Sequence, residues 1–344
     1  MKKIATLALA AAAAVSAHAQ STSAVTLFGI VDANVRQVKN GDNSVKSLSN
    51  NGLNSSRLGV RGTEDLGGGL RAGFWLEHGF TVDTGTQSDT TRFWNRRATV
   101  SLMGGFGELR LGRDYTPSYS GYSDFDVFGD NGVAAAGKFA EKLGSNADTL
   151  TRADNMVSYF APSLLGGFYG QASVAAGEGT AGKKYVGGRV GYAAGPLNVS
   201  VAAGRTDVTP VAGDDQHDVI DAGASYDFGF VKLSGYYSED KLASMKLATY
   251  NLGVSVPLGA GVLRGSYINA NASGTNATGA SIAANDASQF ALGYIYNLSK
   301  RTALYTTVAR VTNKGAAAYT VATPPAAVAG QDSTGYELGI RHAF

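Results

Sequence analysis

A period of two in hydrophobicity, repeated along most of the chain, limits this sequence more than any other feature. The stretch Gly335–Phe344 displays it most simply. Tyr336, Leu338, Ile340, His342 and Phe344 fall on one face; Gly335, Glu337, Gly339, Arg341 and Ala343 fall on the other. Side chains alternate across a strand, so this segment has an apolar, aromatic-ended face and a charged or small face. In a soluble sheet those faces are core and solvent. In a barrel that crosses a bilayer they are lipid and a watery lumen, with Tyr336 and Phe344 near the two interfaces. The aromatic final residue favours the second reading, because the ends of soluble domains usually fray in water.

The other end of the chain agrees. Met1–Ala19 has Lys2 and Lys3, an apolar run from Ile4 to Val15, and Ala17-His18-Ala19. This is expected to be a secretory signal peptide cleaved before Gln20, and its apolar run is too short to span a bilayer. With 0 cysteines, neither a disulfide framework nor a thiolate metal site can hold the exported chain. Beyond the leader there is no apolar run of about 18 residues, so a membrane fate leaves only a closed barrel, in which every backbone group finds a partner. The 29 basic residues exceed the 27 acidic ones by the two leader lysines. The mature chain is therefore neutral and has no basic excess for nucleic acid.

Alternation runs from Val25 to Val38, and Asn40 to Asn54 reads as a polar loop. Ser55–Glu64 and Leu70–Phe80 follow, joined by the tight turn Asp65–Gly69, and then Arg92–Met103 and Glu108–Tyr115, joined at Gly104–Gly107. Each pair is a hairpin with a glycine-rich turn at one end and a polar loop at the other. The pattern stops between Thr116 and Thr151, a length without alternation that is usually functional in a regular meander. It resumes at Asn155 and persists to Phe344, with Arg301–Val311 ambiguous in face. The count is 16 strands, an even number that suits a water-filled barrel. The expected fold is thus all-β, a 16-stranded antiparallel transmembrane barrel occupying residues 20–344.

Four stretches carry a family resemblance: Ser23–Asp32, Ser56–Leu70, Phe106–Asp114 and Gly339–Phe344. Together they resemble the general trimeric outer-membrane porins of betaproteobacteria. The resemblance implies a Gram-negative outer-membrane location, a homotrimer, and passive diffusion of small hydrophilic solutes. It implies contact with outer-membrane lipid and lipopolysaccharide, and a terminal strand (Tyr336, Leu338, Ile340, Phe344) read by the barrel-insertion machinery. It also implies that the third outer loop, 116–151, folds into the lumen as a constriction. In anion-selective members wall arginines face acids there; by motif these are Arg57, the Arg96–Arg97 pair and Arg152, with Glu77 on the wall and Asp126 on the loop. Alternation with Val100 and Leu102 outward favours Arg97 over Arg96, and Asp124 or Asp130 could stand in for Asp126. A guanidinium stays charged at any working pH, which suits a filter for small anions.

Other chemistries find little support. Of the four histidines His18, His78, His217 and His342, only His217 could anchor a Ser-His-Asp triad, and no G-x-S-x-G elbow is present. The Gly67–Gly69 and Gly104–Gly107 stretches are turns with no following helix, so they are not phosphate loops. Asp214–Asp215 could hold calcium weakly but reads as a solvated loop. No catalytic residue, metal site or cofactor is expected. A substrate-specific channel is the alternative, and an aromatic ladder along the lumen would mark it; parity gives none.

Overall fold

The computed structural model describes residues 24–162 and 166–344; the Met1–Ala19 leader lies outside them. The first strands are β1 (Ala24–Asn40), β2 (Asn43–Asn50), β3 (Arg57–Gly67), β4 (Leu70–Gly79), β5 (Arg97–Gly104) and β6 (Gly107–Tyr115). Then come β7 (Arg152–Phe160), β8 (Phe168–Ala175), β9 (Lys184–Ala194), β10 (Leu197–Val211), β11 (Asp214–Asp227) and β12 (Lys232–Leu242). The last are β13 (Met245–Leu258), β14 (Gly261–Ser273), β15 (Ala287–Asn297), β16 (Thr302–Asn313) and β17 (Ser333–Ala343). Consecutive strands from β3 onward pair antiparallel, and β17 returns to pair with β1, so the sheet closes. Closure leaves no edge, the condition for strands to cross a bilayer. No described helix is long and apolar enough to cross a membrane.

The sequence reading of Asn40–Asn54 as a loop is corrected here. Residues Asn43–Asn50 pair with Ala33–Asn40, while β3 pairs with Ala24–Ile30. β2 and β3 thus occupy one place beside β1, and the 17 segments make a barrel of 16 strands. Between them residues 51–56 bulge, and the buried Asp32 carboxylate holds the bulge. It accepts the backbone N–H groups of Gly52, Leu53 and Asn54 at 3.1, 2.9 and 2.8 Å. Polar serines and asparagines hid this strand, since both of its faces are hydrophilic.

Elsewhere the alternation maps onto two faces. On β17, Tyr336, Leu338 and Ile340 are exposed while Glu337 is 3% exposed. The exposed apolar band continues around the wall through Val100, Val190, Ile220, Leu252 and Phe290, as an outward lipid face requires. The turn after β3 needs three successive left-handed glycines, Gly67, Gly68 and Gly69, at φ 82°, 62° and 80°, a region that glycine enters without steric cost. β16 was ambiguous in sequence because its inward face is also apolar: Ala303 and Tyr305 pack on Leu53 of the bulge.

The 116–151 segment is structured. Thr116 caps helix α1 (Pro117–Ser123), its Oγ1 accepting from Tyr119 N at 3.3 Å, with Pro117 in the first turn. Two 3₁₀ turns follow, Gly132–Ala134 and Gly137–Phe139. The segment lies against the face opposite the exposed apolar one. Phe125, Val127, Phe128 and Val133 meet the glycines Gly223, Gly253, Gly293 and Gly335 of β11, β13, β15 and β17, where any Cβ would come within 3.0 Å of them. Only glycine lets a side chain sit that close to a strand. Phe125, Phe128, Val133 and Phe139 are all at most 2% exposed, and each such burial contributes about 1.5–3 kcal/mol.

Candidate functional site

The wall residues singled out from sequence, Arg57, Glu77, Arg96, Arg97 and Arg152, converge on the polar face of β3 to β7. Glu77 on β4 is the centre. Its Oε1 accepts from Arg57 Nη1 at 3.1 Å and Arg96 Nε at 2.6 Å, and its Oε2 from Trp75 Nε1 at 3.2 Å. Arg57 opens β3, Arg97 opens β5, and Arg152 opens β7, so the ends of three strands deliver the cations to one level. Arg97 is the cross-strand neighbour of Glu77. Its guanidinium stacks 4.5 Å above Trp75, and its Nε lies 3.4 Å from Asp114. Arg97 thus lies on the face that carries Glu77, while Arg96, just before the strand, shares Glu77 with Arg57.

Arg152 differs from the others. Its Nε donates to the Arg96 carbonyl at 2.8 Å and its guanidinium lies 4.1 Å over the Tyr115 ring. Among the described residues no carboxylate lies within salt-bridge distance of it. Arg110, inward by parity but unmarked in the sequence, joins the wall by binding Asp114 at 2.7 Å and Glu108 at 2.8 Å. The five arginines Arg57, Arg96, Arg97, Arg110 and Arg152 thus face three wall acids, Glu77, Glu108 and Asp114.

The segment acids sit elsewhere. Asp126 turns away from these arginines: its carboxylate accepts from Phe128 N at 3.1 Å and Asp130 N at 2.9 Å, within its own turn. Burial pushes its pKa up, opposed by those amides and by Lys138 and Arg264. Asp124 binds Arg189 of β9 at 2.6 Å, on another part of the wall. Asp130 comes nearest the arginine group through a relay. It accepts from Tyr119 Oη at 3.2 Å, and the Tyr119 ring stacks 4.6 Å from Tyr115, which carries Arg152. Burial, then the neighbouring Asp126, raises the Asp130 pKa to about 6. Burial depresses Lys138 to about 8, against the pull of Asp130 and Asp126. Arg189 and Arg264, also inward by parity, anchor the segment, Arg264 donating to the Val127 carbonyl at 3.0 Å.

An aromatic run does exist, Tyr115–Tyr119–Tyr122–Tyr236, with ring centroids 4.6, 5.4 and 5.5 Å apart. Tyr119, Tyr122 and Tyr236 are buried between segment and wall, so the run is packing and offers no exposed ladder to a solute. No group of acids and histidines among the described residues could hold a metal ion. His217 is fully buried, its Nε2 bonded to the Glu141 carbonyl at 3.0 Å. At the terminal strand, Phe344 exchanges backbone bonds with Gly29 at 3.0 and 3.1 Å, and its ring covers that glycine.

Comparison with known proteins places this geometry. Outer membrane porin protein 32 of Delftia acidovorans is 41% identical, the alignment covering 98% of this chain and 99% of that protein. An outer membrane porin protein of Bordetella pertussis is 31% identical over 98% of this chain and 99% of its own length. Among solved structures, the anion-selective porin from Comamonas acidovorans superposes with a TM-score of 0.82 at 38% identity, covering 94% of this chain and 100% of that one. The trimer form of OmpT from Vibrio cholerae shares the fold, with a TM-score of 0.67 at 17% identity over 94% of this chain and 99% of its own. The profile of the Gram-negative porin family matches residues 5–316. The chain belongs to that family, a non-enzymatic channel of the Gram-negative outer membrane.

Proposed function

We propose that the barrel is a diffusion channel with a modest preference for small anions, filtered where the arginines of β3 to β7 face the 116–151 segment. The observation that carries this reading is the surplus of cations on the wall: Arg57 and Arg96 share one carboxylate, and Arg152 has none. In a narrow passage with low-dielectric walls, such a surplus raises the local concentration of anions. The segment is the second side of the constriction; its docking on inward glycines of β11 to β17 supports a lumenal position. Asp130, linked through Tyr119 and Tyr115 to Arg152, is the facing acid in this reading, ahead of Asp126. The anion selectivity of the Comamonas porin, 38% identical, supports the same sign. The buried state of the tyrosine run argues against a substrate-specific channel.

A homotrimer is part of the proposal, as is recognition of Tyr336, Leu338, Ile340 and Phe344 by the barrel-insertion machinery. So is cleavage of the Met1–Ala19 leader. The zero-current potential across a planar bilayer in a KCl gradient tests the central reading. Its sign should report chloride as the more permeant ion; a potassium-selective channel overturns it.

A further inference from the structure

One carboxylate is bonded into the stretch of backbone that joins the arginine wall to the 116–151 segment. Asp32, on the inward face of β1, is 0% exposed. Its Oδ1 accepts from Gly52 N at 3.1 Å and from the Tyr305 hydroxyl, and its Oδ2 from Leu53 N and Asn54 N at 2.9 and 2.8 Å. Four donors fill the lone-pair sites of an ionised carboxylate, which offers acceptors only. Three successive backbone N–H groups turned to one point make a nest that suits an anion. Asn51 opens the bulge at φ 62°, and its Oδ1 accepts from Ser56 N at 2.7 Å, which closes 51–56 on itself.

The bulge has two neighbours, one on each side of the passage. On one side is the wall. Ser56 Oγ accepts from Asp32 N at 3.0 Å and donates to Asp32 O at 3.2 Å, and Arg57 is the next residue. The register at which Arg57 enters β3, opposite Ile30, is thereby tied to Asp32. On the other side is the segment. Gly132 N donates to the Asn51 carbonyl at 2.9 Å, and Ser55 Oγ donates to Asn131 Oδ1 at 3.0 Å. Gly132 sits at φ 66°, and a Cβ there would come within 2.5 Å of the Gly52 carbonyl oxygen and 2.2 Å of Glu337 Oε1. So close an approach of two backbones, in the left-handed region, needs glycine.

We propose that Asp32 is a positioning residue of the filter: through the 51–56 bulge it fixes the gap between Arg57 on the wall and the segment at Asn131–Gly132. The inference rests on the constriction reading and adds to it a buried residue that no ion touches. Asp32→Asn separates position from charge, because the two act with opposite sign. The amide keeps the shape of the carboxylate but turns its own N–H groups toward those of the bulge, so at least one of them loses its acceptor. If Asp32 acted only through its charge, removing a negative charge near Arg57 would raise the preference for chloride. As a positioning residue, its loss frees Arg57 and the segment, and the preference falls.

The test uses the full chain, folded in detergent and reconstituted in planar bilayers. Asp32→Asn should lower the chloride-to-potassium permeability ratio about twofold, the effect of moving one charge from about 5 to about 10 Å off the ion path. It should also admit neutral polyethylene glycols larger than wild type admits, a readout blind to the sign of any charge. Amide exchange in 50–56 and 130–134 should quicken roughly tenfold or more, while β10 to β14 keep their protection. Gly132→Ala, which lifts the segment off the bulge and leaves Asp32 in place, should reproduce the larger size cut-off. The double variant should add nothing further, since both changes break one contact. A ratio that rises with an unchanged cut-off overturns the assignment and leaves Asp32 as a charge alone. An unchanged cut-off in Gly132→Ala, or a cut-off that grows again in the double variant, overturns it as well. Protection lost throughout the barrel in Asp32→Asn overturns it too, by making Asp32 a residue of the fold. Cut-off and exchange keep their meaning whatever the sign of the wild-type potential, so failure here is distinct from failure of the anion reading.

Discussion

Replacing Phe125 with alanine should loosen the 116–151 segment while leaving the barrel intact. Phe125 is 1% exposed and its ring fills the place where Gly223 has no side chain, 2.0 Å from an added Cβ. Truncating a fully buried phenylalanine costs about 3–5 kcal/mol. The barrel strands are held by their own ladders, so the loss falls on the docking equilibrium of the segment. At about 1.4 kcal/mol per decade, local opening should rise roughly a hundredfold or more. Phe128, Val133 and Phe139 still hold the segment near the wall, so it opens often without leaving permanently. Amide hydrogen exchange by mass spectrometry reads this directly, because Phe125 N, Gly129 N and Phe139 N are bonded within the segment at 3.0 Å. Peptides across 122–140 should lose protection while β13 to β16 keep theirs. Unchanged protection in 122–140, or loss spread evenly over the strands, would refute the docking argument.

Three further perturbations follow from the same geometry. Glu77→Gln removes the acid that Arg57 and Arg96 share; one charge at about 5 Å from an ion path is worth ~0.8 kcal/mol in water, and screening over about 8 Å roughly halves it. Acting oppositely on anion and cation, the change should raise the chloride-to-potassium permeability ratio about fourfold, and a fall in that ratio contradicts the wall model. Asp130 has a folded pKa raised to about 6 from 3.8, so its proton stabilises the docked segment below that range, and this contribution is lost as pH rises through about 6. Going from pH 7 to 5 should therefore increase anion preference in bilayer recordings, and Asp130→Asn should flatten the step; a step that survives in that variant assigns it to another group. Deleting Phe344 should lower outer-membrane yield far more than Ala343→Ser, as judged by membrane fractionation, and equal yields would remove the terminal aromatic from the assembly signal.

The barrel was legible because lipid on one side and water on the other impose a period of two on every strand. Where that contrast fails, so did the reading. β2 is hydrophilic on both faces, and β16 is apolar on both because Ala303 and Tyr305 pack on the 51–56 bulge. Parity placed Arg57, Glu77 and Arg97 on one face but could not pair them, since partners come from three strands and a loop. Arg96 shows the limit: it precedes β5, where alternation has no authority, yet it makes the shorter contact with Glu77. Which segment acid faces the arginines stayed open in the sequence for a similar reason. Asp124, Asp126 and Asp130 lie close in sequence, and only the turn at Asp126, which consumes its own carboxylate, separates their roles. The glycines that seat the segment, Gly223, Gly253, Gly293 and Gly335, carry no local mark of which side chain meets each.

The most direct test of the arginine wall is the zero-current potential of the Arg57→Ser, Arg152→Ser double variant in a KCl gradient, beside wild type. Arg152 is the cation without a carboxylate, and Arg57 is one of two on Glu77. Their removal takes two positive charges from the wall and leaves Glu77 paired with Arg96. The potential should move toward potassium, with a shift that shrinks as salt shortens the screening length to about 3 Å at 1 M. An unchanged potential at low salt would contradict the account and take these arginines out of the filter.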